Sequence, residues 1–114
     1  MSVAENLRLF RRLRRIEGAD DDDLALVERL GLPPDRAAGA LSSGMMQRLR
    51  WIWALQGHPR VLLFDEPFQN LDVRGTESLS ELLSERLADT CVIVATPSPL
   101  VLPHAPERVV ELVG

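Results

Sequence analysis

Val61, Leu62, Leu63 and Phe64 are four consecutive apolar residues, and Asp65, Glu66 and Pro67 follow them directly. An apolar run of this length, closed by charge and proline, reads as a strand covered on both faces in a parallel sheet. A parallel partner requires a crossover of a dozen or more residues. Val73 to Leu87 supplies one, with Leu79, Leu82, Leu83 and Leu87 on a core stripe and Glu77, Glu81 and Glu85 on the wet side. A second apolar run, Cys91–Ala95, follows, and Arg108–Val113 is expected to add a short third strand beyond the proline-rich stretch Pro97–Pro106. Strand, helix, strand, with a right-handed crossover, places the chain in the α/β class.

The first half carries no strand signal. Ser2 and Glu5 form a capping-box pattern that starts a helix near Val3, and Leu9, Leu13 and Ile16 are expected to fall on one apolar face of it. Gly18 and the run Asp20–Asp23 end it. Asp22 to Leu30 forms a second helix, stopped by Gly31 and the Pro33–Pro34 pair. Asp35 to Ala40 reads as a loop. Ser42 or Ser43 caps a third helix, on which Met45, Leu49, Ile52 and Trp53 follow helical spacing until Gly57 and Pro59. The division is a helical unit over 1–57 and an α/β unit over 58–114, with an incomplete parallel sheet.

At 114 residues the chain is one domain or part of one. No apolar run approaches the length of a membrane span, and SVAENLRLFRR lacks the apolar centre of a signal peptide. The single Cys91 lies within an apolar run and reads as a buried structural thiol in a reducing compartment. The net charge of −4 argues against nucleic-acid binding. Arg8, Arg11, Arg12, Arg14 and Arg15 read as a solvated helix face beside an acidic loop, Asp20–Asp23; contact with a partner protein or acidic lipid heads is the alternative. All 13 basic residues are arginine, so no lysine is present to reach the terminal phosphates from a Gly-rich phosphate loop, and no such loop occurs.

Two stretches carry chemistry. A strand ending at Asp65 delivers that carboxylate to the end where open α/β sheets bind ligands. There Asp65 can hold Mg²⁺ through water, and Glu66 can polarise an attacking water. The other reading is a strand that merely ends in a polar loop. Ser42, Ser43 and Gly44 open a helix whose free N–H groups and dipole favour an anion such as phosphate; Gly44 lets the backbone come close. Taken alone, this stretch is also an ordinary serine cap. His58 and His104 read as loop residues, and Trp51 and Trp53 as packing or partner-contact residues.

LSSGMMQRLRWIWALQGHPRVLLFDEPFQNLD resembles the signature, Walker B and D-loop region of the ATP-binding subunit of ABC transporters. SVAENL resembles the segment after that family's Gln loop, and ERVVELVG its closing strand. The resemblance implies a partial P-loop NTPase (ABC ATPase) fold, a small helical subdomain plus an incomplete parallel sheet, that begins downstream of the Walker A and Gln loops. It implies that Ser42, Ser43 and Gly44 press on ATP held by an opposing subunit, that Asp65 coordinates Mg²⁺, that Glu66 is the catalytic base, and that Asp72 of the D-loop crosses the dimer interface. A second ATP-binding subunit and a membrane permease are the implied partners, at the cytoplasmic face of the membrane. Three positions depart from the pattern. The Walker A and Gln loops are absent, Pro97 stands where the family has its switch histidine, and Met45 replaces a glutamine. The isolated chain is accordingly expected to hydrolyse no ATP and to dissolve poorly, with an apolar strand edge open. The alternatives are a non-catalytic half-site or pseudo-subunit without turnover of its own, and a chromosome-structure ATPase. Against the last, no heptad stretch precedes Leu41.

Overall fold

The computed structural model describes residues 1–18, 20–97 and 106–112. Helix α1 (Val3–Leu13) begins at the Ser2/Glu5 pair. The Ser2 hydroxyl accepts from the Glu5 N–H at 3.1 Å, and the Glu5 carboxylate accepts from the Ser2 N–H at 2.8 Å, which satisfies two backbone donors reciprocally. The bond from the Ser2 backbone holds the Glu5 carboxyl below its ordinary value.

α1 stops at Leu13, ahead of Gly18. Arg15 takes a left-handed φ of 53°, Ile16 N–H donates to Arg11 O, and Arg15 N–H donates to Arg12 O. This is the closure that glycine usually makes. The buried side of α1 is Val3, Leu7 and Arg11, while Leu9 and Leu13 are exposed. The face expected from apolar spacing is therefore corrected. The true stripe is an i, i+4 series whose third member is an arginine, and apolar periodicity cannot register it.

Asp20–Asp23 are the first turn of α2 (Asp20–Arg29), not an acidic loop. Four carboxylates suit the positive end of a helix dipole. Asp23 turns inward to Arg11, whose Nε and Nη2 donate to it at 2.9 and 2.7 Å. Gln56 Nε2 donates to the same carboxylate at 3.0 Å and to Leu7 O at 3.0 Å. Gly31, at φ 68°, closes α2 as its position suggested.

Helix α3 (Ser43–Leu55), strand β1 (Val61–Asp65), helix α4 (Val73–Arg86) and strand β2 (Cys91–Ala95) complete the order. β1 and β2 pair in parallel, with Val61 opposite Cys91 and Asp65 opposite Ala95. One apolar cluster joins Val3 and Leu7 of α1, Val27 of α2, Leu49, Trp51, Ile52 and Leu55 of α3, Leu62 of β1, and Leu79, Leu82 and Leu83 of α4. Phe64 and Val92 pack against it.

Alternate residues of the strands point away from this core. Val61, Leu63 and Ile93 are 54%, 72% and 53% exposed, and Cys91 is exposed as well. The expectation of strands covered on both faces, and of a buried thiol, is corrected: the described helices cover one face, and among the described residues the side chains of opposite parity stay largely exposed. Leu87, expected in the core, is 48% exposed at the end of α4. Arg108–Leu112 form no strand; Val109, Val110 and Leu112 are exposed. Val113 and His104 lie outside the described residues.

Arg29 of α2 grips Glu85 of α4 through two bonds of 2.6 and 2.7 Å. The Arg29 guanidinium holds the Glu85 carboxyl below its ordinary value. A lowered folded value gives stability that is fully present above the unfolded value, 4.5. It is lost as pH falls through the folded one. Urea midpoints of the native chain are therefore expected to drop on acidification below pH 4.5. Glu85→Gln should start lower and show a shallower drop. An unchanged slope in that variant would remove Glu85 from the acid response.

Candidate functional site

The Asp65–Glu66 step lies at the C-terminal end of β1. Asp65 is the last strand residue and is exposed; Glu66 is half-buried. Glu66 N–H donates to Ala95 O at 2.8 Å, which carries the parallel ladder one residue past the strand. Glu66 then turns into the left-handed region at φ 45°. Such a conformation costs a non-glycine residue about 1–3 kcal/mol and persists where its surroundings over-determine it.

The surroundings are one stripe of α3. Gln47 Nε2 donates to Pro67 O at 2.8 Å and to Glu66 O at 3.3 Å. Trp51 Nε1 donates to Pro67 O at 2.7 Å. The Trp51 ring is wedged between Phe64, at 4.4 Å, and Phe68, at 5.4 Å. Gln47 and Trp51 are both buried. Gln47 carries no expectation from the sequence, and Trp51 reads there as a packing or partner-contact residue. The available signal was an i, i+4 pair of side-chain N–H donors one turn into the helix that the serines cap.

At the other end of the stripe, a Cβ on Gly44 would lie 2.9 Å from Asn70 O. The close approach expected at Gly44 is thus made by the chain's own loop. Gly44→Ala should gain about 0.5–1 kcal/mol of helix propensity, yet force apart two backbones that cannot swing aside, at about 1–3 kcal/mol. A net loss of stability by urea melting is expected. Gly39→Ala serves as the control: nothing among the described residues lies within 4 Å of a Cβ there, and little change is expected. Equal effects at the two sites would refute the Gly44 contact.

Ser42 caps α3, and its Oγ accepts from Met45 N–H at 3.2 Å. That leaves the hydroxyl proton free to donate. Met46 N–H reaches Ser42 O, whereas the Ser43 and Gly44 N–H groups meet no acceptor among the described residues. Two free amides and two exposed serines stand at the positive end of a helix.

Asp72 caps α4, its carboxylate accepting from Gly75 N–H at 2.7 Å. The same oxygen lies 3.5 Å from Arg48 Nη2. Its side chain remains 71% exposed. The structure thus joins Gly44, Glu66 and Asp72 through α3 and the loop that follows β1, with Asp65 at the root of that loop. Pro97 is exposed two residues beyond Ala95, the acceptor of the Glu66 N–H.

No group of three or more histidine, cysteine, aspartate or glutamate side chains forms a metal cage among the described residues. An exposed Asp65 carboxylate alone at a strand end still fits Mg²⁺, which keeps most of its waters and takes one or two carboxylates together with substrate phosphates. No helix among the described residues is long and apolar enough to cross a membrane.

A family model described as "AAA domain, putative AbiEii toxin, Type IV TA system" matches residues 6–102. The chain is 37% identical over 118 aligned positions to the zinc import ATP-binding protein ZnuC of Paracoccus denitrificans, covering all of this chain and 44% of that protein. It is 38% identical over 103 positions to the cytochrome c biogenesis ATP-binding export protein CcmA of Rhodopseudomonas palustris, covering 88% and 50%. Among solved structures, the dimeric bacterial ABC transporter cassette MJ0796 matches with a TM-score of 0.67 at 25% identity, over 82% of this chain and 45% of that one. The ADP form of the cassette MJ1267 matches with a TM-score of 0.61 at 21% identity, over 82% and 44%, and shows the fold alone. The chain spans about half the length of these relatives or less.

Proposed function

The chain belongs to the AAA-domain ATPase family, in its ABC ATPase branch, and from that premise we propose that it acts as part of the ATP-binding subunit of an ABC transporter, giving its signature and Walker B elements to a nucleotide held between two subunits. The observation that carries this reading is the bonding of α3 to the loop after β1. One helix presents free amides at its tip and, a few residues on, fastens the turn that bears Glu66.

The division of labour follows from the donors and acceptors available. The Ser42 hydroxyl and the Ser43 and Gly44 N–H groups donate to phosphate oxygens presented by the opposing subunit. Asp65 would hold Mg²⁺, which takes one or two carboxylates together with substrate phosphates. Glu66 accepts a proton from water on a carboxylate oxygen. Mg²⁺-ATP, when bound, supplies the transferable phosphoryl group and the charge that draws electrons from it. Asp72 orders the start of α4 and offers its exposed edge to the facing subunit. A location at the cytoplasmic face of a membrane, against a permease, follows from the same reading. So does the division into a helical unit over 1–57 and an α/β unit over 58–114.

The chain alone is expected to turn over no ATP. Mixed with an ABC ATPase subunit that carries a Walker A loop, it should raise ATP turnover above that subunit's own rate. Ser43→Arg, which puts a bulky side chain between the amides and their anion, should abolish the gain. Turnover by the chain alone, or a gain indifferent to Ser43→Arg, would defeat the proposal. A second reading, a half-site without catalysis of its own, rests on Pro97: a proline has no N–H and no side-chain donor to orient water. On that reading the gain depends on Ser43 and is indifferent to Glu66.

A further inference from the structure

We propose that Gln47 and Trp51 are positioning residues for Glu66, clamping the Glu66 and Pro67 carbonyls so that Glu66 is held in its left-handed conformation. The inference rests on the catalytic reading of Glu66 given above, and adds to it the groups that aim that residue.

Three observations converge on the same turn. Glu66 has φ 45°, which a residue with a Cβ adopts only under constraint. Its N–H is fixed on Ala95 O and its own carbonyl accepts from Gln69 N–H at 3.2 Å, so the ladder and the following turn pin both sides of the residue. Neither of those bonds selects the left-handed well by itself, since a strand can end in several turn types. The remaining constraint comes from α3. Gln47 reaches both carbonyls, and Trp51 reaches Pro67 O at 2.7 Å. Pro67 has no N–H and a fixed φ; the Gln47 bond to Glu66 O acts on the peptide plane between Glu66 and Pro67, and the Gln47 and Trp51 bonds to Pro67 O hold the plane after it, so two consecutive peptides leaving Glu66 are directed from α3. Gln47, Trp51 and Pro67 are buried and Glu66 is half-buried, and the two bonds to the Pro67 carbonyl lie in a buried region, where an unmet carbonyl is costly. Release of the clamp therefore favours a different turn, one that returns the carbonyls to water and lets Glu66 fall back to negative φ.

The tryptophan is not there for packing alone. A phenylalanine would keep ring contact with Phe64 and Phe68 while losing the N–H and part of the buried indole volume. This makes Trp51→Phe the informative variant, with Gln47→Met as its counterpart at similar volume.

The test is NMR on the full 114-residue chain. In the native protein, Glu66 should give the strong intraresidue amide-to-Hα NOE of a positive φ, and the Glu66 and Gln69 amides should exchange slowly. In Trp51→Phe with Gln47→Met, that NOE should weaken to the level of its neighbours. Exchange at those two amides should quicken about tenfold, the loss of roughly one buried hydrogen bond, while Leu49 and Leu82 amides stay protected. A merely structural role would speed exchange across the whole chain and leave the Glu66 NOE of the folded form intact, which overturns the proposal. So does a folded variant with no change at Glu66. If the double variant fails to fold, Trp51→Phe alone is read by the same criteria. Failure of the catalytic reading is seen separately: Glu66→Gln would leave assisted ATP turnover intact while the clamp variants still move the Glu66 backbone.

Discussion

Replacing Asp23 with alanine is expected to lower the unfolding free energy by about 3–5 kcal/mol, the cost of leaving a buried charge without its partner. The Arg11 and Asp23 side chains are 7% and 4% exposed. Arg11 spends all three nitrogens there: Nε and Nη2 on the Asp23 carboxylate, and Nη1 on Glu17 O at 2.9 Å. The paired Asp23 carboxylate holds the Arg11 guanidinium still more firmly protonated than usual. In the Asp23→Ala variant the guanidinium therefore stays charged, and Gln56 Nε2 loses one of its two acceptors. Small domains hold only about 5–15 kcal/mol in total, so a large part of the chain's stability depends on this one contact between α1 and α2. The companion variant sharpens the claim. Arg11→Met with Asp23→Leu removes both charges and refills the volume, and buried pairs exchanged for apolar residues in this way are often neutral. Urea denaturation of native, single and double variants reads the difference. A double variant as unstable as Asp23→Ala, or a single variant within about 1 kcal/mol of native, a size expected of exposed pairs, would contradict the account.

Replacing Glu66 with glutamine is expected to reduce assisted ATP turnover about 10²–10⁴-fold, the range supplied by a positioned general base. Glutamine keeps the length and the turn of the side chain and removes the proton acceptor. The left-handed backbone at Glu66 and its bond to Ala95 O should persist, so urea midpoints should match those of the native chain. That match separates loss of chemistry from loss of fold. Asp65→Asn acts at the neighbouring position by weakening the hold on Mg²⁺, and raising the Mg²⁺ concentration should restore part of its turnover, as it should not for Glu66→Gln. Retained turnover in Glu66→Gln would favour the half-site reading, in which the opposing subunit does the hydrolysis.

Local signals set most of the elements. The Ser2/Glu5 box, the Ser42 cap, the glycine that closes α2 and the apolar runs of β1 and β2 each encode their geometry within a few residues, because capping and strand termination are short-range events. The resemblance to ABC ATP-binding subunits was likewise legible in LSSGM and VLLFDEP, contiguous motifs whose order is itself the evidence. Faces were less legible. Leu9 and Leu13 look like core and are exposed, whereas Arg11 and Asp23 look like surface and are buried, because each charge is neutralised by a residue twelve positions away.

The sequence by itself determined where α1, α3, β1 and β2 start, that these two strands run parallel, and which family the motifs belong to, since each is written in neighbouring residues. Only the tertiary structure decided that, among the described residues, one sheet face stays largely exposed, that Gly44 makes room for Asn70 O, and that Gln47 and Trp51 fasten the turn of Glu66. These depend on which surfaces meet when α3 packs against the end of β1 and the loop after it. Contacts between residues some twenty positions apart carry no local periodicity; they exist only once the loop after β1 is folded back against the helix.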